Sequence, residues 1–241
     1  VKNFLWLIFM YLGGLSLISC TEDDTSASCG KWEVEINNPD ATARVEGGKL
    51  IIDIENPHSD KDVRLIQHQA ADSGTPNIAM SIIINEFSWQ GVDGKASSDA
   101  QISASFAYQV SPENKVMESI YGAYKSTYKV GGKEVFSRME GNGRVPLELL
   151  YSSVGSEAAF ERDDRTFPIT ASAAPKSAYV DFGINPALTR QSPTQSIHVE
   201  IDMIAFDKYT DNKRPIVLAS GYNATNYGFY QDPFDCNSLI K

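Results

Sequence analysis

Ile102-Ser-Ala-Ser-Phe-Ala-Tyr-Gln-Val110 alternates strictly: Ile102, Ala104, Phe106, Tyr108 and Val110 share one face, and small or polar residues occupy the other. A period of two marks a β-strand with one face in a core. The same period recurs on both sides of this stretch. Upstream, Trp32, Val34 and Ile36 point opposite to Glu33 and Glu35, and Leu50, Ile52 and Ile54 alternate with Ile51, Asp53 and Glu55 behind the turn signal Gly47-Gly48. Residues 63–68 and 78–84 continue the series. Downstream, 128–130 and 134–136 flank Gly131-Gly132 and read as a hairpin, followed by strand patterns at 158–161, 167–170, 178–184, 197–206 and 216–219. Val116, Met117, Ile120, Tyr121 and Tyr124 also fit a helical stripe, but Gly122 and the β-favouring residues after it argue for a strand. With no other extended helical period, the prediction is an all-β fold, a two-sheet antiparallel β-sandwich or jelly roll.

Composition narrows the function classes. The chain has 241 residues, 42% hydrophobic and 22% charged, enough apolar content for one packed domain. Its 31 acidic residues against 21 basic ones, a net charge of −10, argue against neutralising nucleic-acid phosphates. Three histidines (His58, His68, His198) and three cysteines (Cys20, Cys29, Cys236) give zinc motifs almost no ligands, so no metal site is predicted from them. No phosphate-binding loop, nucleophile elbow or dinucleotide fingerprint is present, and no cofactor is expected.

The first residues carry an address. Val1-Lys2-Asn3 leads into an apolar run, 4–12, that stops at Gly13-Gly14. Even extended to Ile18, the stretch falls short of the ~20 residues a membrane span needs, and it lacks basic stop-transfer residues, so it reads as a secretion signal. Leu17-Ile-Ser-Cys20 resembles the lipobox of bacterial lipoproteins, in which the cysteine is diacylated and the peptide is cut just before it. Thr21-Glu-Asp-Asp24 resembles the acidic segment that sends many Bacteroidota lipoproteins to the outer face of the outer membrane. The resemblance implies a signal peptide at 1–19, a lipid on Cys20 with an acidic tether at 20–28, a single domain over 29–241, and a membrane-anchored, surface-exposed protein. In an oxidising envelope Cys29 and Cys236 are expected to pair, or else to be two separate buried thiols.

Two segments resemble concanavalin A-like (laminin-G-like) domains. Val45-Glu-Gly-Gly-Lys-Leu-Ile-Ile-Asp-Ile54 is similar to an early turn and strand of that family, and His198-Val-Glu-Ile-Asp-Met-Ile-Ala-Phe-Asp207 to a late one. The resemblance implies two curved antiparallel sheets with neighbouring termini, which agrees with a Cys29–Cys236 bridge. It does not imply one function, because this fold hosts lectins, carbohydrate-binding modules, hydrolases, lyases and adhesion modules.

Three functions are weighed. On the late strand, Ile197, Val199, Ile201, Met203 and Ala205 face one way and His198, Glu200 and Asp202 the other, the latter spaced ~6.5–7 Å apart. If the protein is an enzyme, these three are its catalytic candidates. Glu200-Ile-Asp202 resembles the start of the laminarinase-type hydrolase signature, but Ile204 and Ala205 stand where its second glutamate belongs. Retaining hydrolysis needs two carboxyl groups ~5–5.5 Å apart. Gln195-Ser-Ile-His198 and Arg138-Met-Glu140 resemble elements of alginate-lyase-type jelly rolls, whereas the tyrosine-bearing closing motif of those lyases is not matched in 222–231. Sugar binding asks for less, namely exposed aromatic rings and a few polar groups. Trp89, before a Gly-rich loop, and Tyr222, Tyr227 and Tyr230 near the C-terminus are the binding candidates, and Trp32 is assigned to the core. Asp207 and Asp211 could offer oxygens to a structural Ca²⁺, but the interleaved Lys208 and Lys213 favour an ordinary charged turn. The reading is a lipid-anchored surface protein whose β-sandwich binds an extracellular glycan; the alternatives are a polysaccharide hydrolase or lyase, and a structural or adhesion module.

Overall fold

The structure, a computed structural model, describes residues 26–29, 32–67, 77–92, 99–108, 114–123, 125–139, 145–152, 157–160, 165–169, 175–188 and 193–209. Strands are numbered in chain order. One sheet has eight, arranged β1 (Ser26–Cys29), β2 (Trp32–Ile36), β5 (Val63–Gln67), β14 (Ser177–Ile184), β7 (Ala100–Ala107), β8 (Lys115–Gly122), β9 (Lys125–Val130), β10 (Lys133–Met139). The other has seven, arranged β13 (Arg165–Pro168), β12 (Glu157–Phe160), β11 (Val145–Ser152), β6 (Asn77–Gly91), β15 (Thr194–Tyr209), β4 (Lys49–Glu55), β3 (Ala41–Glu46). Every pairing is antiparallel, and no α-helix occurs among the described residues.

Alternation builds the layer between the sheets. Ile102, Ala104 and Phe106 of β7, Val180 and Phe182 of β14, and Trp32 and Val34 of β2 join one apolar cluster with Leu50, Ile52 and Ile54 of β4 and Ile197, Val199 and Ile201 of β15. The ambiguous segment around Val116 is strand β8, with Val116 and Met117 buried in the same cluster. Two Gly-Gly pairs close tight hairpins: Gly47-Gly48 (φ 60° and 78°) joins β3 to β4, and Gly131-Gly132 (φ 55° and 76°) joins β9 to β10. Positive φ at both central residues is the type I′ requirement, which matches strand twist and suits glycine.

Several expectations shift. Residues 26–29, assigned mostly to the tether, form β1 against β2. Strands β3 and β11 were not read from the sequence at all. Asp207 lies within β15 rather than in a turn. Simple alternation along β15 also fails beyond Ile201: Ile204, expected outward, is buried in the core. The reason is a pair of register shifts against β6, where Asn85 and Asp202 each lack a cross-strand partner. Each works as a β-bulge that advances the side-chain phase by one residue. Hence on β6 Ile82 and Ile84 point inward, and after Asn85 Phe87 and Trp89 do so.

At Gly183 the loop before β5 presses directly on β14. Ile184 N donates to the Ser59 carbonyl at 2.8 Å, and a Cβ on Gly183 would stand 1.9 Å from that same oxygen. The obstacle is backbone and cannot rotate aside. Gly183→Ala is therefore expected to lower unfolding free energy by ~1–3 kcal/mol or more, read from urea denaturation midpoints against the wild type.

Candidate functional site

Strands β4, β15 and β6 lie side by side and turn charged residues away from the core. Cross-strand register sets His198 between Asp53 and Ser88, and Glu200 between Ile51 and Glu86. His198 Nδ1 lies 2.5 Å from Asp53 Oδ1, and Arg44 of β3 donates to the other Asp53 oxygen. Glu200 Oε2 accepts from Lys49 Nζ at 2.8 Å and from Asn85 Nδ2 at 3.1 Å. The second Glu200 oxygen, Oε1, is 3.8 Å from His198 Nε2. Lys49 also stands 3.8 Å from Asp202, so all three sequence candidates, His198, Glu200 and Asp202, do share one face.

Two carboxyls of this face, Glu200 and Asp53, are shifted toward their ionised forms. Hydrogen bonds from Lys49 and Asn85 hold the Glu200 carboxyl below its ordinary range. Burial pushes Asp53 upward, but hydrogen bonds from Arg44 and His198 together outweigh it and leave Asp53 lowered as well. A glycosidase needs one carboxyl kept protonated as the acid, and both of these are held ionised. The lyase-like elements are likewise apart. Arg138 belongs to β10, the outer edge of the eight-stranded sheet, while His198 sits in the middle of the other sheet.

Trp89 does not display its ring. It lies on the inward side of β6, half-buried, with its ring 5.0 Å from that of Phe87, and its Nε1 is buried without a hydrogen-bond partner. Trp32 is in the core, as expected. Tyr222, Tyr227, Tyr230, Asp211, Cys20 and Cys236 lie outside the described residues, and Cys29 is placed only as the end of β1.

A second constellation was missed in the sequence. On the outward face of the eight-stranded sheet, register aligns Glu35, Arg64, Asp181 and Ser103 in one row, and Ile66, Tyr179, Ser105, Glu118 and Lys129 in the next. Arg64 grips Asp181 at two points, Nε–Oδ1 2.6 Å and Nη2–Oδ2 3.0 Å, with its guanidinium 5.0 Å from the centre of the Tyr179 ring. Lys115 pairs with Glu118 and stands 3.8 Å from Asp181, and Lys129 is 3.6 Å from Glu118. Burial pushes the Asp181 carboxyl up; Arg64 and Lys115 work against it, and the two-point grip is that of an ionised carboxylate. Where this chain of charges ends, a cavity of about 470 Å³ opens, lined by Tyr108, Asn114, Lys115, Glu118, Lys129 and the Gly131-Gly132 turn. No linear motif announces it, because its residues come from separate strands and meet only through register.

No protein-family model matches the chain, and no curated protein matches it in sequence. Solved structures do. An alginate lyase from polysaccharide lyase family 7, AlgAT5, is similar at 9% identity with a TM-score of 0.51, covering 74% of this chain and 94% of its own. The family-7 alginate lyase A1-II′ is similar at 8% identity with a TM-score of 0.53, covering 75% and 96%. At such identities the likeness is one of fold, and it shows that the chain is a jelly-roll sandwich of the concanavalin A-like kind.

Two measurements test the electrostatics. Arg64→Ala leaves the Asp181 charge buried and is expected to cost ~3–5 kcal/mol, whereas Arg64→Met combined with Asp181→Leu removes both charges and should recover most of that loss; chemical denaturation of the three proteins reads it. On the other sheet, Asp53 and Glu200 have native values below their unfolded ones, so their stabilisation is complete above about pH 5 and disappears as pH falls through the native values. Asp53→Asn and Glu200→Gln should each make the acid limb of a stability–pH curve shallower.

Proposed function

We propose that this protein is an extracytoplasmic, lipid-anchored module whose sandwich binds a glycan in the cavity beside β8 and β9. The observation that carries the reading is the cavity's lining: a tyrosine ring, an exposed amide and three charged groups held in place by ion pairs. Sugar sites combine an apolar or aromatic wall with a few fixed polar groups in this way. Two lysines against one glutamate favour an acidic saccharide. Burial raises the Tyr108 phenol above its ordinary value, so at neutral pH it stays protonated and can donate a hydrogen bond. The shared architecture with two proteins named alginate lyases makes a polysaccharide a fitting ligand class. Binding is favoured over catalysis because Glu200 of β15 and its neighbour Asp53 of β4 are both ion-paired, with carboxyls held below their ordinary range.

Anchoring belongs to the same proposal. The lipobox-like Leu17-Ile-Ser-Cys20 and the acidic residues after it support acylation of Cys20 and display at the outer-membrane surface. Acyl chains contribute ~0.8 kcal/mol per buried CH₂, and two or more make a stable tether.

The test is a glycan array followed by titration calorimetry on the mature protein, with unsaturated-uronate and reducing-sugar assays alongside. Binding to acidic glycans is expected, weakened about tenfold or more by Tyr108→Ala or Lys129→Ala, since truncating a central contact costs ~1–2 kcal/mol. Cys20→Ala should abolish fatty-acid labelling and membrane fractionation while leaving glycan affinity unchanged. No binding to any glycan would overturn the reading, and product formation in either assay would replace it with catalysis.

A further inference from the structure

We propose that the outward face of β6 and β15 holds a first-row divalent transition metal, with Zn²⁺ the best-fitting ion, bound by His198 Nε2, Glu200 Oε1 and the Glu86 carboxylate. One ligand atom from each of the three residues lies within 4.8 Å of the other two. His198 Nε2 and Glu200 Oε1 are 3.8 Å apart, a gap that one ion ~2.0–2.2 Å from each atom spans.

The surroundings are arranged for such an ion. Asp53 engages Nδ1 of His198, which fixes the ring and leaves the Nε2 lone pair facing Glu200, the carboxylate–histidine arrangement that orients metal ligands. Lys49 and Asn85 both occupy Oε2 of Glu200, so Oε1 is the oxygen left toward the imidazole.

A cation also resolves an otherwise unfavourable contact. Glu86 and Glu200 are directly opposed across β6 and β15, and like charges in that position destabilise a sheet. Lys49 serves Glu200, but Glu86 receives only the Ser88 hydroxyl among the described residues. Asp53, Glu86, Glu200 and Asp202 face Arg44 and Lys49, leaving an excess of negative charge on this face. The donor set of one imidazole and two carboxylates selects a first-row transition metal over Ca²⁺, which takes six or more oxygens. Three protein ligands on a solvent-facing sheet leave a coordination position open to water or a small ligand.

Calorimetric titration of tag-free, chelator-stripped protein with Zn²⁺ is the direct test, with Co²⁺ absorption reporting the ligand field. One equivalent of Zn²⁺ is expected to bind and raise the melting temperature. Glu86→Gln, a surface change that should leave the fold intact by circular dichroism, is expected to weaken binding tenfold or more. His198→Ala should abolish binding and the Co²⁺ spectrum, and Asp53→Asn should weaken it ~10–100-fold through the imidazole it holds. The proposal fails if the protein takes up no Zn²⁺, if Glu86→Gln and His198→Ala bind as the wild type does, or if Ca²⁺ competes at equal concentration.

Discussion

The two sheets share one apolar layer, and each strand must deliver alternate side chains to it or leave a void. Phe106 and Ile102 of β7 and Phe182 and Val180 of β14 are fully buried on one side, Met80 and Ile82 of β6 and Val199 and Ile201 of β15 on the other. Interiors packed at crystal-like density tolerate neither gaps nor excess volume, so register on one strand constrains register on its neighbours. A slip of one residue would exchange the whole inward set for the outward one. Charged side chains are thereby forced onto the two outward faces, in rows set by strand pairing rather than by closeness in sequence.

Those faces differ electrostatically. At the centre of the eight-stranded sheet one ion pair is withdrawn from water: the Arg64 side chain is 7% exposed and Asp181 1%. Ions in that setting have surrendered hydration and depend on one another, so loss of one partner is costly while loss of both is tolerable. On the seven-stranded sheet Asp53 and His198 are about a third exposed, at 35% and 33%. Solvent screens their pairing, which contributes little to stability and leaves the groups available to an external ligand. On the first face the ion pairs run to the edge of the cavity; the second turns partly exposed groups toward solvent.

Period two was legible where bulky apolar residues alternate with polar ones, as in β2 and β4, but not in β3, whose inward residues are only Ala41, Ala43 and Val45. Nor was it legible in β11, which follows the turn signals around Asn142 and includes Pro146, a residue that cannot donate to a ladder. Trp89 illustrates a different limit. Its neighbours marked a strand end and a loop, and an aromatic ring there suggested display, but the phase change at Asn85 turns it inward. Placing His198, Glu200 and Asp202 on one face needed only local alternation. Glu86, 200 − 86 = 114 residues before its cross-strand partner Glu200, is joined to them by pairing alone.

The paired irregularities at Asn85 and Asp202 connect these observations. Had β6 continued the phase of Ile82 and Ile84, Glu86 would have been driven into the apolar layer, where an unpaired carboxylate is prohibitively expensive. The extra residue on β6 returns Glu86 to the outward face opposite Glu200, and places Asn85 within reach of Glu200 Oε2. The extra residue on β15 restores the match, so that Ile204 re-enters the core. Bulges concentrate beside functional sites because they re-aim side chains without breaking a sheet. Here the two bulges keep the core continuous while bringing Glu86, His198 and Glu200 together, so the polar cluster on this face is built by the same backbone adjustment that preserves the packing beneath it.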